Sequence, residues 1–438
     1  MGHIVNPDRE YRFLQDRLDR SLTGAPESPV LMKILKILFQ PEDANLARRI
    51  PYRPTALETL ARDLRIDPDE LDERLTAMAR RGLVVDIERD GERFFALAPI
   101  VIGFYEFTFM RTGDDLPLVE LARLFDEYMF KDRRFGGSVF QGETQIGRTL
   151  VREESLPDDD HTEVLDWERA SRVIESATTA AVSTCACRHK ATHLGTACDR
   201  SLRNCLSLNY AAEILVRNGL AEPLSTNEAL RILEESKADG MAQTGDNVQR
   251  KVSFICNCCS CCCGFFQAIR LLNFTNAVVT SNWMAAIDDT KCTGCGKCAE
   301  VCPVEAIDIR RNSEGKRQPA SAEQVQVDES LCLGCGICCT TCPTGAAVMK
   351  PRPQRVYTPE TIFDRVATMA IERGKLADTL FDNPERLSHR ALGRIVRVLE
   401  KSPPFKAAMA IQSLRSAFLG AIVKGAKSKS GSMTEIFE

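Results

Sequence analysis

Two short stretches of this chain space their cysteines identically. CTGCGKCAEVCP begins at Cys292 and CLGCGICCTTCP at Cys332, and both read Cys-x2-Cys-x2-Cys-x3-Cys-Pro. Three cysteines at every third position wrap a tight loop whose thiols converge on one side. The loop must turn sharply enough for its amides to approach whatever the thiols hold. Gly294, Gly296, Gly334 and Gly336 supply that freedom, because glycine enters left-handed backbone at no steric cost. Pro303 and Pro343 follow the fourth cysteine of each run and turn the chain into a short helix.

The other cysteines set the redox context. The chain has 438 residues and nineteen cysteines, all between positions 185 and 342. Disulfide-rich secreted chains are usually short and carry an apolar leader. This one is long and opens MGHIVNPDREYRFLQDRLDR, which has no apolar segment. The thiols are therefore read as reduced metal ligands in a cytoplasmic protein. No stretch of about 18 uncharged apolar residues occurs, so no transmembrane segment is expected. A net charge of −4 gives no bulk attraction to nucleic acid.

The doubled run resembles the bacterial two-cluster ferredoxins across residues 285–351. The resemblance implies two [4Fe–4S] clusters with crossed ligation, the fourth cysteine of each run reaching the other cluster. Cys292, Cys295, Cys298 and Cys342 would hold the first, and Cys332, Cys335, Cys338 and Cys302 the second. Two departures stand out. A longer basic connection, residues 310–327, reads as a docking loop. Cys339 is an additional thiol and reads as a non-ligand, because Cys338 already keeps the spacing. The segment GCGKCA from Gly294 also matches a dinucleotide fingerprint by letter, but its glycines belong to the cysteine loop and the match is discarded.

Ten cysteines lie upstream: Cys185, Cys187, Cys198 and Cys205, then Cys256, Cys258, Cys259, Cys261, Cys262 and Cys263 in the knot ICNCCSCCCG. Four-cysteine zinc sites use such thiolates. Beside a ferredoxin unit, further iron–sulfur ligation is the preferred reading. Cys185, Cys187, Cys198 and Cys205 are expected to supply a third cluster from a loop and a helix start. Arg188, His189, Lys190 and His193 would surround it with positive charge or hydrogen-bond donors. The knot cannot aim all its thiols at one cube, since alternate side chains on an extended chain point apart. Either three or four of its thiols bind a fourth cluster, or some complete a cluster begun at Cys185 and Cys187. Cys262-Cys263-Gly264 resembles the Cys-Cys-Gly tripeptide of heterodisulfide reductases, although the rest of that spacing is missing. Taken in order, the Cys-x-Cys-Arg segment, the Cys-Asn-Cys-Cys-x-Cys-Cys segment and the doubled run resemble multi-domain ferredoxin-type proteins of anaerobic bacteria. That likeness implies cluster binding and names no substrate.

The expected fold is α+β and multidomain. Residues 1–145 form a helical and winged helix-like module, 146–284 a cysteine-rich α/β cluster-binding domain, 285–351 the two-cluster ferredoxin domain and 352–438 a helical C-terminal extension. In the first, TALETLARDLRI places Leu57, Leu60, Ala61 and Leu64 at helical spacing, and a second helix opens at Pro68. Alternation around Asp90-Gly91 then marks a hairpin. A winged helix suggests DNA, yet Asp69, Glu70, Asp72 and Glu73 on the second helix would repel phosphates, so protein docking is preferred. Residues 101–111, apolar and aromatic, are expected to pack this module onto its neighbour. In the second domain, the strand-like runs AAVSTCACR and KVSFICNCC end in cysteines. After Lys350 there are fifteen Lys and Arg against nine Asp and Glu, net about +6. Residues 405–423 form an apolar helix that either packs on the body or docks on a partner or a membrane surface.

No phosphate loop, Ser-His-Asp arrangement or zinc-protease helix occurs. Three functions compete. The preferred one is a relay passing single electrons between unidentified redox protein partners, as a carrier or the electron-transfer subunit of an oxidoreductase. The others are a redox-sensing regulator that uses the winged helix, and a reductase with an active-site cluster.

Overall fold

The computed structural model describes residues 8–113, 115–156, 165–309, 325–410 and 418. Three helices open it, α1 (Arg9–Asp19), α2 (Pro29–Leu38) and α3 (Pro41–Ala47). Ser28 starts α2 by accepting the Val30 amide, with Pro29 in the first turn. A short strand not expected from the sequence, β1 (Thr55–Ala56), precedes the two helices and two strands expected over residues 55–99: α4 (Leu57–Leu64), α5 (Pro68–Arg80), β2 (Val84–Arg89) and β3 (Glu92–Leu97). Leu60, Ala61 and Leu64 of α4 are buried, as are Leu71, Leu75 and Met78 of α5. Asp67 caps α5. Asp90 and Gly91 both take positive φ, the requirement of a tight two-residue hairpin turn. The sheet order is β1-β3-β2.

Three more helices, α6 (Tyr105–Met110), α7 (Leu118–Asp126) and α8 (Arg133–Val139), lead into a six-stranded sheet. It is built from β4 (Gly147–Thr149), α9 (Ala170–Glu175), β5 (Ala180–Thr184), α10 (Ala186–Leu194), β6 (Arg203–Leu208), α11 (Asn209–Arg217), β7 (Glu222–Leu224), α12 (Thr226–Ala238), β8 (Ala242–Asp246), β9 (Phe254–Cys258) and α13 (Gly264–Leu272). The strand order is β4-β8-β9-β6-β5-β7. Helices and strands alternate as expected, yet every ladder between neighbouring strands is antiparallel. This unit is therefore an antiparallel sheet with helices, not a parallel crossover layer.

The aromatic segment does pack across, since α6 carries Tyr105 and Phe109 against α10, where His189 Nδ1 lies 2.8 Å from the Phe109 carbonyl. The β2–β3 hairpin also leans on this unit. Ile87 and Phe94 bury against Ile214 of α11, and Asn218 and Arg217 bond Asp86.

The doubled run lies in β10 (Trp283–Ile287), α14 (Lys297–Glu300), β11 (Ile307–Ile309), β12 (Val325–Val327), α15 (Ile337–Thr341) and β13 (Ala347–Pro351). β10 precedes the first run and pairs with β13, which follows the second. β11 follows the first run and pairs with β12, which precedes the second. Each ribbon thus ties the start of one run to the end of the other. Most of the expected docking loop lies outside the described residues.

The last helices are α16 (Ile362–Glu372), α17 (Leu376–Leu380), α18 (Leu387–Glu400) and α19 (Pro403–Ala410). They are not a free tail. Glu385 pairs with Arg49 at 2.9 Å, Arg386 with Asp63 at 2.8 Å, and Glu372 accepts the amides of Glu143 and Thr144. The docking helix expected at 405–423 lies largely outside the described residues. No helix of the described residues is long and apolar enough to cross a membrane.

Candidate metal centres

All nineteen cysteines are described, and none is in a disulfide. Those of the doubled run line two cavities. One is bounded by Cys302, Cys332, Cys335 and Cys338 together with Val304, Ile307, Leu333 and Met349. The other is bounded by Cys292, Cys295, Cys298 and Cys342 with Ile287 and Val325. Each takes three thiols from one run and the fourth from the other, because the ribbons tie the runs end to start. Cys339 lines neither cavity and sits 3.8 Å from Cys338.

Backbone amides point at these sulfurs. Gly294 N donates to Cys292 Sγ at 3.5 Å, Ala306 N to Cys302 at 3.2 Å, Ala285 N to Cys332 at 3.5 Å and Ala347 N to Cys342 at 3.4 Å. Donors of this kind favour the thiolate over the thiol. Burial works against it and pushes the Cys298 thiol up to about 11, so loading such a cavity must release protons. Four converging thiols, amide donors and an otherwise apolar wall fit an anionic [4Fe–4S] cluster.

The ten upstream thiols sort into two groups, and not as the sequence spacing suggested. Cys198 leaves its expected partners and joins Cys259, Cys261 and Cys262, all four sulfurs lying within 4.8 Å of one another. The remaining six form a ring of neighbours. Cys205 and Cys256 face each other across the β6–β9 ladder, and Cys256 also contacts Cys258. Cys258 lies 3.3 Å from Cys263, Cys187 neighbours both, and Cys185 neighbours Cys187 and Cys205. The knot is split between the two arrangements open for it: Cys259, Cys261 and Cys262 gather with Cys198, while Cys256, Cys258 and Cys263 lie with Cys185 and Cys187. Alternation along β9 is the reason: Cys256 and Cys258 share one face, while Asn257 bonds Asn204 and Gln243 on the other.

Two helices begin at this ring. Cys185 caps α10, Cys187 lies in its first turn, and Cys263 caps α13. The Gly264 backbone lies beside the Cys187 sulfur and favours its thiolate. Free amides and the positive ends of two helix dipoles favour negative charge there. Burial still pushes the Cys187 thiol up to about 12.

Of the four basic residues expected around the third cluster, only Arg188 reaches a thiol, with Nη2 at 3.3 Å from Cys259 Sγ. Lys190 pairs with Asp126 at 2.7 Å, and His189 and His193 lie 3.1 Å apart beside Phe109. His189 and Lys190 clamp α10 to α6 and α7. A helix turns its residues through about 100° each, so consecutive residues cannot all face one site.

Residues 291–346 match the protein family described as the 4Fe-4S dicluster domain. The chain carries a ferredoxin-type 4Fe-4S domain. No curated protein and no solved structure matches the chain.

Sequence reasoning missed two arginines that bond the second cysteine run, the first of which ties it to the sheet unit. Arg152 N donates to the Cys335 carbonyl at 3.1 Å, and its guanidinium bonds Thr340, Lys237 O and Met241 O. Arg352 bonds the Ser281 and Cys332 carbonyls. A lone arginine far from the cysteines carries no signal for this. A cation beside Cys335 stabilises the reduced, more negative form of anything held there. Arg152→Met is therefore expected to lower the potential of the cluster at Cys302, Cys332, Cys335 and Cys338 by roughly tens of millivolts, a screened charge–charge term. Potentiometric titration followed by electron paramagnetic resonance measures this; an upward shift contradicts it.

Proposed function

We propose that the protein relays single electrons between redox partner proteins through three [4Fe–4S] clusters. Two lie in the ferredoxin domain, with the crossed ligand sets Cys292, Cys295, Cys298, Cys342 and Cys302, Cys332, Cys335, Cys338. The third takes its ligands from Cys185, Cys187, Cys205, Cys256, Cys258 and Cys263. Such clusters supply one-electron chemistry, with potentials set by burial, charge and hydrogen bonds to sulfur.

One observation carries the relay reading. A single apolar core contains Cys258 and Cys263 of the upstream ring together with Cys298, Cys332, Cys335 and Cys338, packed around Phe266, Trp283, Met284 and Ile337. Thiols of all three sites share one dry, close-packed medium. The chain excludes water from between them and fixes their positions on sheet and helix ends. A carrier needs this more than it needs a substrate pocket.

Full-length protein prepared without oxygen should hold about twelve iron and twelve sulfide, four of each per cluster. A Cys187→Ser, Cys263→Ser double variant should lose about a third of both and keep the ferredoxin signals. Unchanged iron and sulfide in that variant would remove the third cluster from the proposal.

The N-terminal module, with its winged helix-like order, serves as a docking unit in this reading. Its hairpin is occupied by α11, and Asp69, Glu70 and Glu73 of α5 are exposed. The full chain is expected to show no sequence-selective duplex binding at physiological salt, reduced or oxidised. Selective binding in an electrophoretic titration would favour the regulator instead.

A further inference from the structure

Four upstream thiols differ from the other cysteines in how tightly they converge. In the group of Cys198, Cys259, Cys261 and Cys262, the Sγ–Sγ separations are 3.7 Å for Cys198–Cys259, 3.9 Å for Cys198–Cys262 and 3.6 Å for Cys261–Cys262. Four sulfurs about 2.3 Å from one tetrahedral ion stand about 3.8 Å apart. Around a cubane each thiolate caps a different iron, so the sulfurs must stand further apart. Among the described residues no other set of three or more thiols, imidazoles or carboxylates is this close, and the eight cluster cysteines of the ferredoxin domain are all described.

The chain around the four thiols is built for the same purpose. Cys259 and Cys262 are separated by two residues, a spacing common in four-cysteine zinc sites. The backbone of Cys262 lies beside Cys259, that of Cys198 beside Cys262 and that of Arg200 beside Cys198, and each favours the thiolate. Arg188 is 1% exposed and puts its guanidinium on Cys259. Four thiolates around a divalent ion carry two negative charges, and a buried arginine offsets one of them.

We infer that Cys198, Cys259, Cys261 and Cys262 hold one tetrahedral metal ion of the zinc type and not an iron–sulfur cluster. The site ties the loop after α10 to the turn before α13. Those are the two helices whose first residues carry Cys185, Cys187 and Cys263, so the ion fixes the frame of the six-thiol ring. It moves no electrons. The ten upstream thiols thus divide between one cluster and one ion. The inference is independent of the ferredoxin domain and rests on the sulfur geometry alone.

The test uses the full chain purified without oxygen. Zinc, iron and sulfide are measured on the wild type, on Cys261→Ser, whose thiol is exposed, and on Cys198→Ser. X-ray absorption at the metal edge is measured on the wild type. One zinc per chain is expected, with four sulfur neighbours at about 2.3 Å and no second metal nearby. Both variants should lose that ion and keep their iron and sulfide. Loss of a single iron without sulfide also supports a one-ion site. Iron and sulfide falling together in the variants overturns the inference. So does a wild type with no such ion and these four thiols open to alkylation. Failure of the relay reading is distinct, because it appears as a wild type without iron and sulfide.

Discussion

Cys342→Ala is expected to remove the cluster at Cys292, Cys295 and Cys298 and to leave the one at Cys332, Cys335 and Cys338 in place. Iron and sulfide should each fall by about four per chain, because a cubane missing one of four thiolates in a partly exposed cavity is readily lost. Cys302→Ala should do the reverse. The basis is the pairing of β10 with β13, which brings Cys342 of the second run into the cavity of the first. Arg152 makes the two signals separable, since it lies beside Cys335 and not beside Cys292. Loss of the Cys332 signal alone in Cys342→Ala would overturn the crossed assignment.

The second large effect is where the second cysteine run packs against β10. Gly334 has φ +73°, and a β-carbon there would collide with the Trp283 carbonyl oxygen and the Ser281 hydroxyl. The first of these is backbone, held in β10, and cannot rotate away. Gly334→Ala therefore combines left-handed strain with overpacking, about 3 kcal/mol or more together. Gly345 has φ +64° and nothing within 4 Å of the same position. Gly345→Ala should cost about 1 kcal/mol, the backbone strain alone. Denaturant melts of the two variants, with cluster absorbance as a second probe, separate the contributions. Equal destabilisation would mean that the close approach to Trp283 has no energetic consequence.

The elements over residues 55–99 were legible because each signal there is local. Leu57 to Leu64 spacing, Pro68 and the Asp90-Gly91 turn act within a few residues, and nothing distant overrides them. The direction of the sheet ladders was not legible, because alternating strand and helix patterns look alike whether their sheet is parallel or antiparallel. The C-terminal helices were legible as helices but not as a packed layer. Their contacts, Glu385 with Arg49 and Arg386 with Asp63, join residues more than 300 positions apart.

The cysteines divide in the same way. The doubled run was legible as two sites, since its spacing puts three thiols of each on one loop, and the crossed fourth thiol came from the resemblance to two-cluster ferredoxins. It also determined that the remaining ten thiols were too many for chance. Which of those ten meet was decided only by the tertiary structure. Cys198 and Cys205 are seven residues apart and would seem to be partners. Yet Cys205 lies in β6 against Cys256, while Cys198 lies in a loop that reaches Cys259 and Cys262. Cys258 and Cys259 are adjacent and still part company, because β9 ends between them. The strand aims one thiol into the ring at the two helix starts, and the turn aims the other at Arg188. Ligand sets on one loop follow from spacing. Sets assembled across a sheet follow from register, and register is fixed by burial over the whole sheet.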